Sequence, residues 1–178
     1  MRRVDFVRSA QLAKDVGAAQ NMCYLNAYRS VAHVPGGRYV EGYVALETTP
    51  APIAHGWIEV GGDVILDPTP GYCAPDTAAL AYFAGQRWTL QELVVMERAH
   101  RRMLTLPFSE FLADAGCNVG LPSDHDVLMS WRRAVRDCHM FRAARHRAVH
   151  GTPLFGTEAR EAAWLAQELS LWTVDAAA

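Results

Sequence analysis

Residues 53–67 read IAHGWIEVGGDVILD, in which two runs rich in strand-forming residues flank the pair Gly61-Gly62. A glycine pair between two such runs is a strong signal for a β-hairpin, because glycine readily adopts the backbone angles of tight turns. We therefore predict two short strands, over residues 53–60 and 63–67, joined by this turn.

The register of the hairpin decides which side chains share a face. A loop of odd length centred on Gly61 pairs His55 with Asp67 and places both on the face that carries Trp57 and Ile65. The opposite face then holds only glycine and apolar residues: Gly56, Ile58, Val64 and Leu66. A two-residue loop would separate His55 from Asp67 and mix polar with apolar residues on both faces. We therefore predict the odd loop, which gives a clean core face and joins the histidine to the aspartate.

A cysteine precedes the hairpin, at the start of a predicted helix. Apolar spacing predicts a helix from Met22 to about His33, with Asn21 as its N-cap. Cys23 then lies in the first turn, where free N–H groups and the helix dipole stabilise a thiolate. The remaining cysteines are elsewhere, at positions 73, 117 and 138. Their wide spacing without a CxxC pair predicts free thiols.

The flanking segments predict an α+β chain whose strands lie early. Residues 4–19 read as a short helix or an irregular lead-in, and residues 38–47 read as a strand that completes a three-stranded meander. The pattern after Pro68 is helical. The predicted helices span residues 76–85, 89–103, 107–115, 123–150 and 157–172. Asp76, Thr157 and a Thr89–Glu92 capping box mark three of the helix starts.

Length and composition predict one folded domain over residues 1–178, with the strands in 1–72 and a mostly helical part in 73–178. The chain is 51% hydrophobic and 20% charged, which is typical of a globular protein. A net charge of −2 gives no argument for nucleic acid or an anionic membrane. No window approaches the roughly 18 apolar residues of a membrane span, and no apolar signal core follows the basic N-terminus. We therefore expect a cytoplasmic protein.

Three short motifs follow one another in the chain: CYLNA at residues 23–27, HGW at 55–57 and LDPT at 66–69. Together they resemble the papain-like superfamily in its transglutaminase-like branch, which includes arylamine N-acetyltransferases and bacterial cysteine peptidases. The resemblance covers residues 20–70. It implies a nucleophile helix packed on a small antiparallel sheet, with a helical C-terminal region added.

In such enzymes the resemblance implies a catalytic triad, here Cys23 as nucleophile, His55 as base and Asp67 as the orienting carboxylate. The expected reaction is acyl transfer or hydrolysis through an acyl-enzyme, on a peptide, amide, ester or thioester borne by a small molecule or a carrier. Gln20 is a candidate side-chain donor to the oxyanion, beside the Cys23 backbone N–H. No cofactor or metal is expected.

Asn26 and Trp57, two neighbours of the triad, are further candidates for oxyanion or substrate binding, although packing or hydrogen bonding explains them better than chemistry. Asn26, one helical turn after Cys23, is interpreted as a hydrogen-bonding anchor for the strand or the active-site loop. Trp57 is interpreted as core or pocket wall. Taken alone, Cys23 also fits a buried structural thiol and Asp67 a turn-opening aspartate.

Three further hypotheses remain open. The chain could keep the fold as an inactive binding module that assists a partner protein. The arginine-rich segment 131–150 could bind nucleic acid, although a solvated face explains it better and no nucleic acid is expected. Amphipathic faces at 89–104 and 158–172 leave a homodimer contact open. Zinc binding by His139, His146 and His150 is disfavoured, because no carboxylate joins them.

Overall fold

The computed structural model describes residues 3–47, 49, 51–72, 81–94 and 124–170. Nine elements lie in these ranges: β1 (Arg3–Val4), α1 (Phe6–Asp15), α2 (Cys23–Val31), β2 (Gly37–Ala45), β3 (Ile53–Val60), β4 (Val64–Leu66), β5 (Ala81–Thr89), α3 (Asp124–His150) and α4 (Glu158–Ser170). Residues 90–94 are also helical. The predicted α+β class is confirmed.

The strands form one five-stranded sheet in the order β1-β4-β3-β2-β5. The prediction of a wholly antiparallel sheet is wrong, because β1 runs parallel to β4, with Arg3 opposite Val64 and Val4 opposite Ile65. A two-residue strand is too short to leave an alternating pattern in the sequence.

The β3–β4 hairpin has the predicted parity but a different centre. Ile58 pairs with Leu66 and Val60 with Val64, so the loop is 61–63 and is centred on Gly62 rather than Gly61. Both glycines adopt positive φ, of 62° and 86°, so the turn uses both of them and takes Asp63 from the second strand. The direct pairing of residues 55 and 67 was therefore wrong, although the odd loop keeps both on one face.

Strand β5 replaces part of a predicted helix. The expectation of a helix over 76–85 is wrong for residues 81–85; residues 76–80 lie outside the described ranges. Aromatic residues favour a strand here: Trp88 is buried, and its ring centroid lies 6.0 Å from that of Tyr39 on β2. Packing of large side chains on the sheet thus overrides the helical pattern.

The later helix starts agree with the capping signals. The Glu92 N–H donates to Thr89 Oγ1 at 3.2 Å and the Thr89 N–H donates to Glu92 Oε2 at 2.6 Å, which confirms the capping box. Thr157 Oγ1 accepts from the Arg160 N–H at 3.3 Å at the start of α4. The predicted helix 107–115 and the far ends of the helices 89–103 and 157–172 lie outside the described residues.

The chain divides into two compact units, each with its own core. The first comprises residues 1–41, 55–78 and 86–119, and it buries Trp57, Ile58 and Leu66. The second comprises 42–54, 79–85 and 120–178, and its core gathers around Trp131, whose ring meets Tyr43 edge-on at 5.3 Å. Among the described helices, none is both long and apolar enough to cross a membrane.

Candidate active site

Helix α2 begins at Cys23, one residue later than predicted. Its N-cap is Met22, which gives no side-chain hydrogen bond to the first turn. The prediction of Asn21 as N-cap is wrong, because Asn21 adopts a left-handed backbone with φ of 61° and ends the preceding loop. Cys23 is partly buried, and no N-cap side chain occupies the first N–H groups of its helix.

Asn26 fixes the loop that leads into Cys23. Its side-chain Nδ2 donates to the Ala19 carbonyl at 2.7 Å, and its Oδ1 accepts from the Ala19 N–H at 3.1 Å. The side chain is buried, so these bonds are shielded from water. Asn26 therefore has the anchoring role predicted for it. Gln20 lies in the loop that the Asn26 side chain closes, and it is exposed.

Gly56 explains how the start of α2 reaches strand β3. A Cβ built on Gly56 would lie 2.9 Å from Cδ1 and 3.0 Å from Cα of Tyr24, the residue after Cys23. Any side chain at position 56 would push the helix away from the strand. The glycine between His55 and Trp57 thus lets the cysteine approach the histidine.

His55 and Asp67 form a buried pair. His55 Nε2 lies 2.7 Å from Asp67 Oδ2, and the two side chains are 2% and 0% exposed. Cys23 lies close enough to the His55 ring for its charge and side chain to contribute to raising the pKa of His55. Because Nε2 faces the carboxylate, Nδ1 is the ring nitrogen left for the sulfur. The structure therefore brings the three residues of the predicted triad together.

The surroundings of His55 favour its protonated form. Burial alone lowers the pKa of the imidazole, but the charge and hydrogen bond of Asp67, followed by those of Cys23, outweigh it. The net result raises the pKa of His55 from 6.5 to about 10. A raised pKa keeps the imidazole protonated at neutral pH, and an imidazolium beside a cysteine stabilises a thiolate.

Ser9 on α1 holds the backbone of Asp67. The Asp67 N–H donates to Ser9 Oγ at 2.9 Å, and the same hydroxyl donates to the Asp5 carbonyl at 2.6 Å. The Thr69 N–H donates to Asp67 Oδ1 at 3.1 Å, which orients the carboxylate. Sequence reasoning missed Ser9, because its partner lies 58 positions away and no local pattern marks it.

Aromatic rings line the His55 imidazole. Tyr72 stacks on it with centroids 4.4 Å apart and an angle of 25°, and Trp57 is nearly parallel at 6.4 Å and 19°. Trp57 is fully buried, in agreement with its predicted packing role. Tyr72 was missed as a site residue; a turn closed by its N–H to the Thr69 carbonyl, at 2.9 Å, brings it back over the ring.

The other candidates from the sequence, the histidines and arginines of α3, belong to the second compact unit. Within the described ranges, no three His, Cys, Asp or Glu side chains are placed to hold a metal ion. Two arginines of α3 bond to residues outside the helix: Arg142 donates to the Thr49 carbonyl at 2.6 Å, and Arg145 pairs with Glu47 at 3.1 Å. These contacts favour a structural role for Arg142 and Arg145.

Comparison with protein-family models, with curated proteins and with solved structures found no match to this chain. The likeness to the papain-like superfamily therefore rests on the motifs around Cys23, His55 and Asp67. A function has to be argued from the geometry of these side chains.

The protonated histidine predicts a distinctive pH dependence of stability. The pKa of His55 is raised in the folded state, so its stabilising effect is complete below pH 6.5 and is lost as the pH rises through about 10. We expect the free energy of unfolding to fall across this window, and Asp67→Asn to remove most of the fall. Urea unfolding at pH 6, 8 and 10 measures it. Asp137→Asn, at an exposed acid paired with Arg136, is the control; parallel profiles for wild type and Asp67→Asn would contradict the assignment.

Proposed function

We propose that this protein is a cysteine hydrolase or acyltransferase that acts on an amide, ester or thioester carbonyl. The observation that carries the proposal is the buried His55–Asp67 pair, with Cys23 beside it at the start of a helix and contributing to the raised pKa of His55. In a papain-like core, the same three residue types serve as nucleophile, base and orienting acid. The order of the residues along the chain agrees with that arrangement.

The proposed first half-reaction forms an acyl-enzyme. The Cys23 thiolate attacks the carbonyl carbon, and the carbonyl oxygen becomes an oxyanion. The bond to the leaving group then breaks, and the leaving group takes the proton from His55 Nδ1. This leaves acylated Cys23 and a neutral imidazole, with Asp67 still bonded to Nε2.

The second half-reaction reverses the roles. The neutral His55 takes a proton from water or from an amine as that molecule attacks the acyl carbon. The thiolate leaves, the product departs, and the imidazolium beside Asp67 is restored. Hydrolysis and transfer differ only in which nucleophile reaches the acyl-enzyme.

The oxyanion needs hydrogen-bond donors. The N–H groups at the start of α2 fit this role, because the Met22 N-cap gives them no side-chain bond. Gln20, in the loop that Asn26 closes, remains the candidate for a side-chain donor. The substrate class stays an acyl group on a peptide, an amide or a thioester carrier.

Alkylation by iodoacetamide near pH 6 tests the proposal. We expect Cys23 to react at least about ten-fold faster than Cys138, because an imidazolium adjoins Cys23 whereas burial raises the pKa of the Cys138 thiol to about 12. Peptide mass mapping after partial reaction gives the site. An activated acetyl ester should then add one acetyl group to wild type and none to Cys23→Ala. Uniform or absent labelling would remove the basis for catalysis and favour the inactive binding module.

A further inference from the structure

A polar cavity of about 520 Å³ lies beside the loop of the β3–β4 hairpin. Its lining residues come from the turn before β2, from β2, β3 and β5, and from the hairpin loop: Gly36, Arg38, Glu59, Gly61, Gly62 and Arg87. Cavities of roughly 300–1,000 Å³ hold small molecules in proteins. All six residues belong to the first compact unit.

One wall of the cavity is a fixed guanidinium. Arg87 Nε donates to Glu59 Oε2 at 2.7 Å, and Arg87 Nη2 lies 3.4 Å from Glu59 Oε1. The Glu59 side chain is 5% exposed and that of Arg87 is 32% exposed. The buried carboxylate therefore holds the more exposed guanidinium in place. A guanidinium has five N–H donors, and these two contacts leave three of them for another acceptor. Glu59 therefore orients Arg87 while leaving N–H donors of its guanidinium for a ligand.

The second arginine of the lining, Arg38, gives the cavity its excess positive charge. Arg38 is exposed, and no carboxylate of residues 3–47, 51–72, 81–94 or 124–170 pairs with it. Among the described lining residues, two guanidinium groups and one carboxylate give a net charge of +1. Arginine is the residue that best matches the planar, two-oxygen edge of a phosphate or a carboxylate.

The glycines keep the space open. Gly36 and Gly62 have positive φ of 71° and 86°, and a Cβ on either would meet no atom within 4 Å. The two turns therefore bring backbone close to the cavity without side chains to fill it.

We infer that this cavity binds the oxyanion of a small molecule, a phosphate or a carboxylate group, between Arg38 and Arg87. Glu59 lies four residues after His55 on β3, about 13 Å along the strand at ~3.3 Å per residue. Anion binding needs no catalytic step at Cys23, so this inference is independent of the proposed function.

Titration of the whole protein with inorganic phosphate, and separately with acetate, tests the inference. Amide chemical shifts are followed at constant ionic strength maintained with chloride. We expect saturable shifts at Gly61 and Gly62 with at least one anion. The anion that binds more tightly shows whether the site prefers a phosphate or a carboxylate group. Arg38→Gln should weaken binding at least about ten-fold. The control Arg160→Gln, at an exposed arginine of α4, should leave it unchanged.

A second variant tests the sign of the charge argument. Glu59→Gln removes the one negative charge among the described lining residues, so it should tighten anion binding several-fold while keeping an oxygen for Arg87. Absence of saturable shifts with both anions would overturn the inference. Equal weakening by Arg38→Gln and Arg160→Gln would also overturn it, because the binding would then be unspecific. Should Glu59→Gln unfold the chain, the Arg38→Gln comparison decides by itself.

Discussion

Replacement of His55 by glutamine is expected to slow acylation of Cys23 by an activated ester by about 10³-fold, within the range of ~10²–10⁴ typical of a lost general acid–base group. Glutamine can still donate a hydrogen bond to Asp67 Oδ2, so the buried carboxylate keeps a partner. It cannot carry the proton that stabilises the thiolate and then passes to the leaving group. The acetylated protein is quantified by mass spectrometry over time.

His139→Gln is the matched control for this loss. His139 is also a buried histidine stacked on aromatic rings, with Trp164 at 4.9 Å and Phe155 at 6.0 Å, and it belongs to the second compact unit. Its replacement should change acylation by less than roughly two-fold at a comparable cost in packing. If His55→Gln retained more than about a tenth of the wild-type rate while folded, His55 would not be the base.

Replacement of Gly42 by alanine is expected to lower the free energy of unfolding by about 3 kcal/mol, at the upper end for overpacked cores. The added Cβ would lie 2.1 Å from the Phe83 carbonyl oxygen, 2.7 Å from the Gly85 nitrogen and 2.9 Å from the Ala84 Cα. All three are backbone atoms of β5, so no side-chain rotation relieves the clash. The strand itself would have to move away from β2.

Gly17→Ala separates this clash from the loss of glycine's backbone freedom. Gly17 has φ of 61° in the turn after α1, and a Cβ there would meet nothing within 4 Å. Alanine at position 17 should cost about 1 kcal/mol from the left-handed backbone alone. Urea denaturation of both variants gives the two values. Similar losses at positions 17 and 42 would contradict the close approach of β2 and β5.

Local patterns predicted the elements that carry the candidate site. Strand β3 has the predicted bounds of 53–60, and α2 starts within one residue of Met22, because alternation and helical spacing are recorded within a few neighbouring residues. The parity of the hairpin loop followed from the distribution of polar residues over two faces. The centre of the loop could not be predicted from this distribution, because either glycine could begin the turn.

Long-range contacts could not be predicted in the same way. Strand β1 exists only through its pairing with β4, and β5 is a strand because Trp88 packs against Tyr39. Tyr72 and Ser9 reach the site through a turn and through α1. Each of these depends on where distant segments meet, which a single sequence does not encode in any short window.

The hydroxyl of Ser9 carries a consequence for any shortened version of this protein. A gene fragment that starts at Gly17 would still encode the thiol, the imidazole and the carboxylate, and would look complete by inspection of its reactive groups. It would lack Ser9, whose hydroxyl accepts from the Asp67 N–H and donates to the Asp5 carbonyl. The Thr69 N–H would still bond the carboxylate, but the Asp67 backbone would lose its own hydrogen-bond acceptor. The first sixteen residues therefore support the site although none of them reacts.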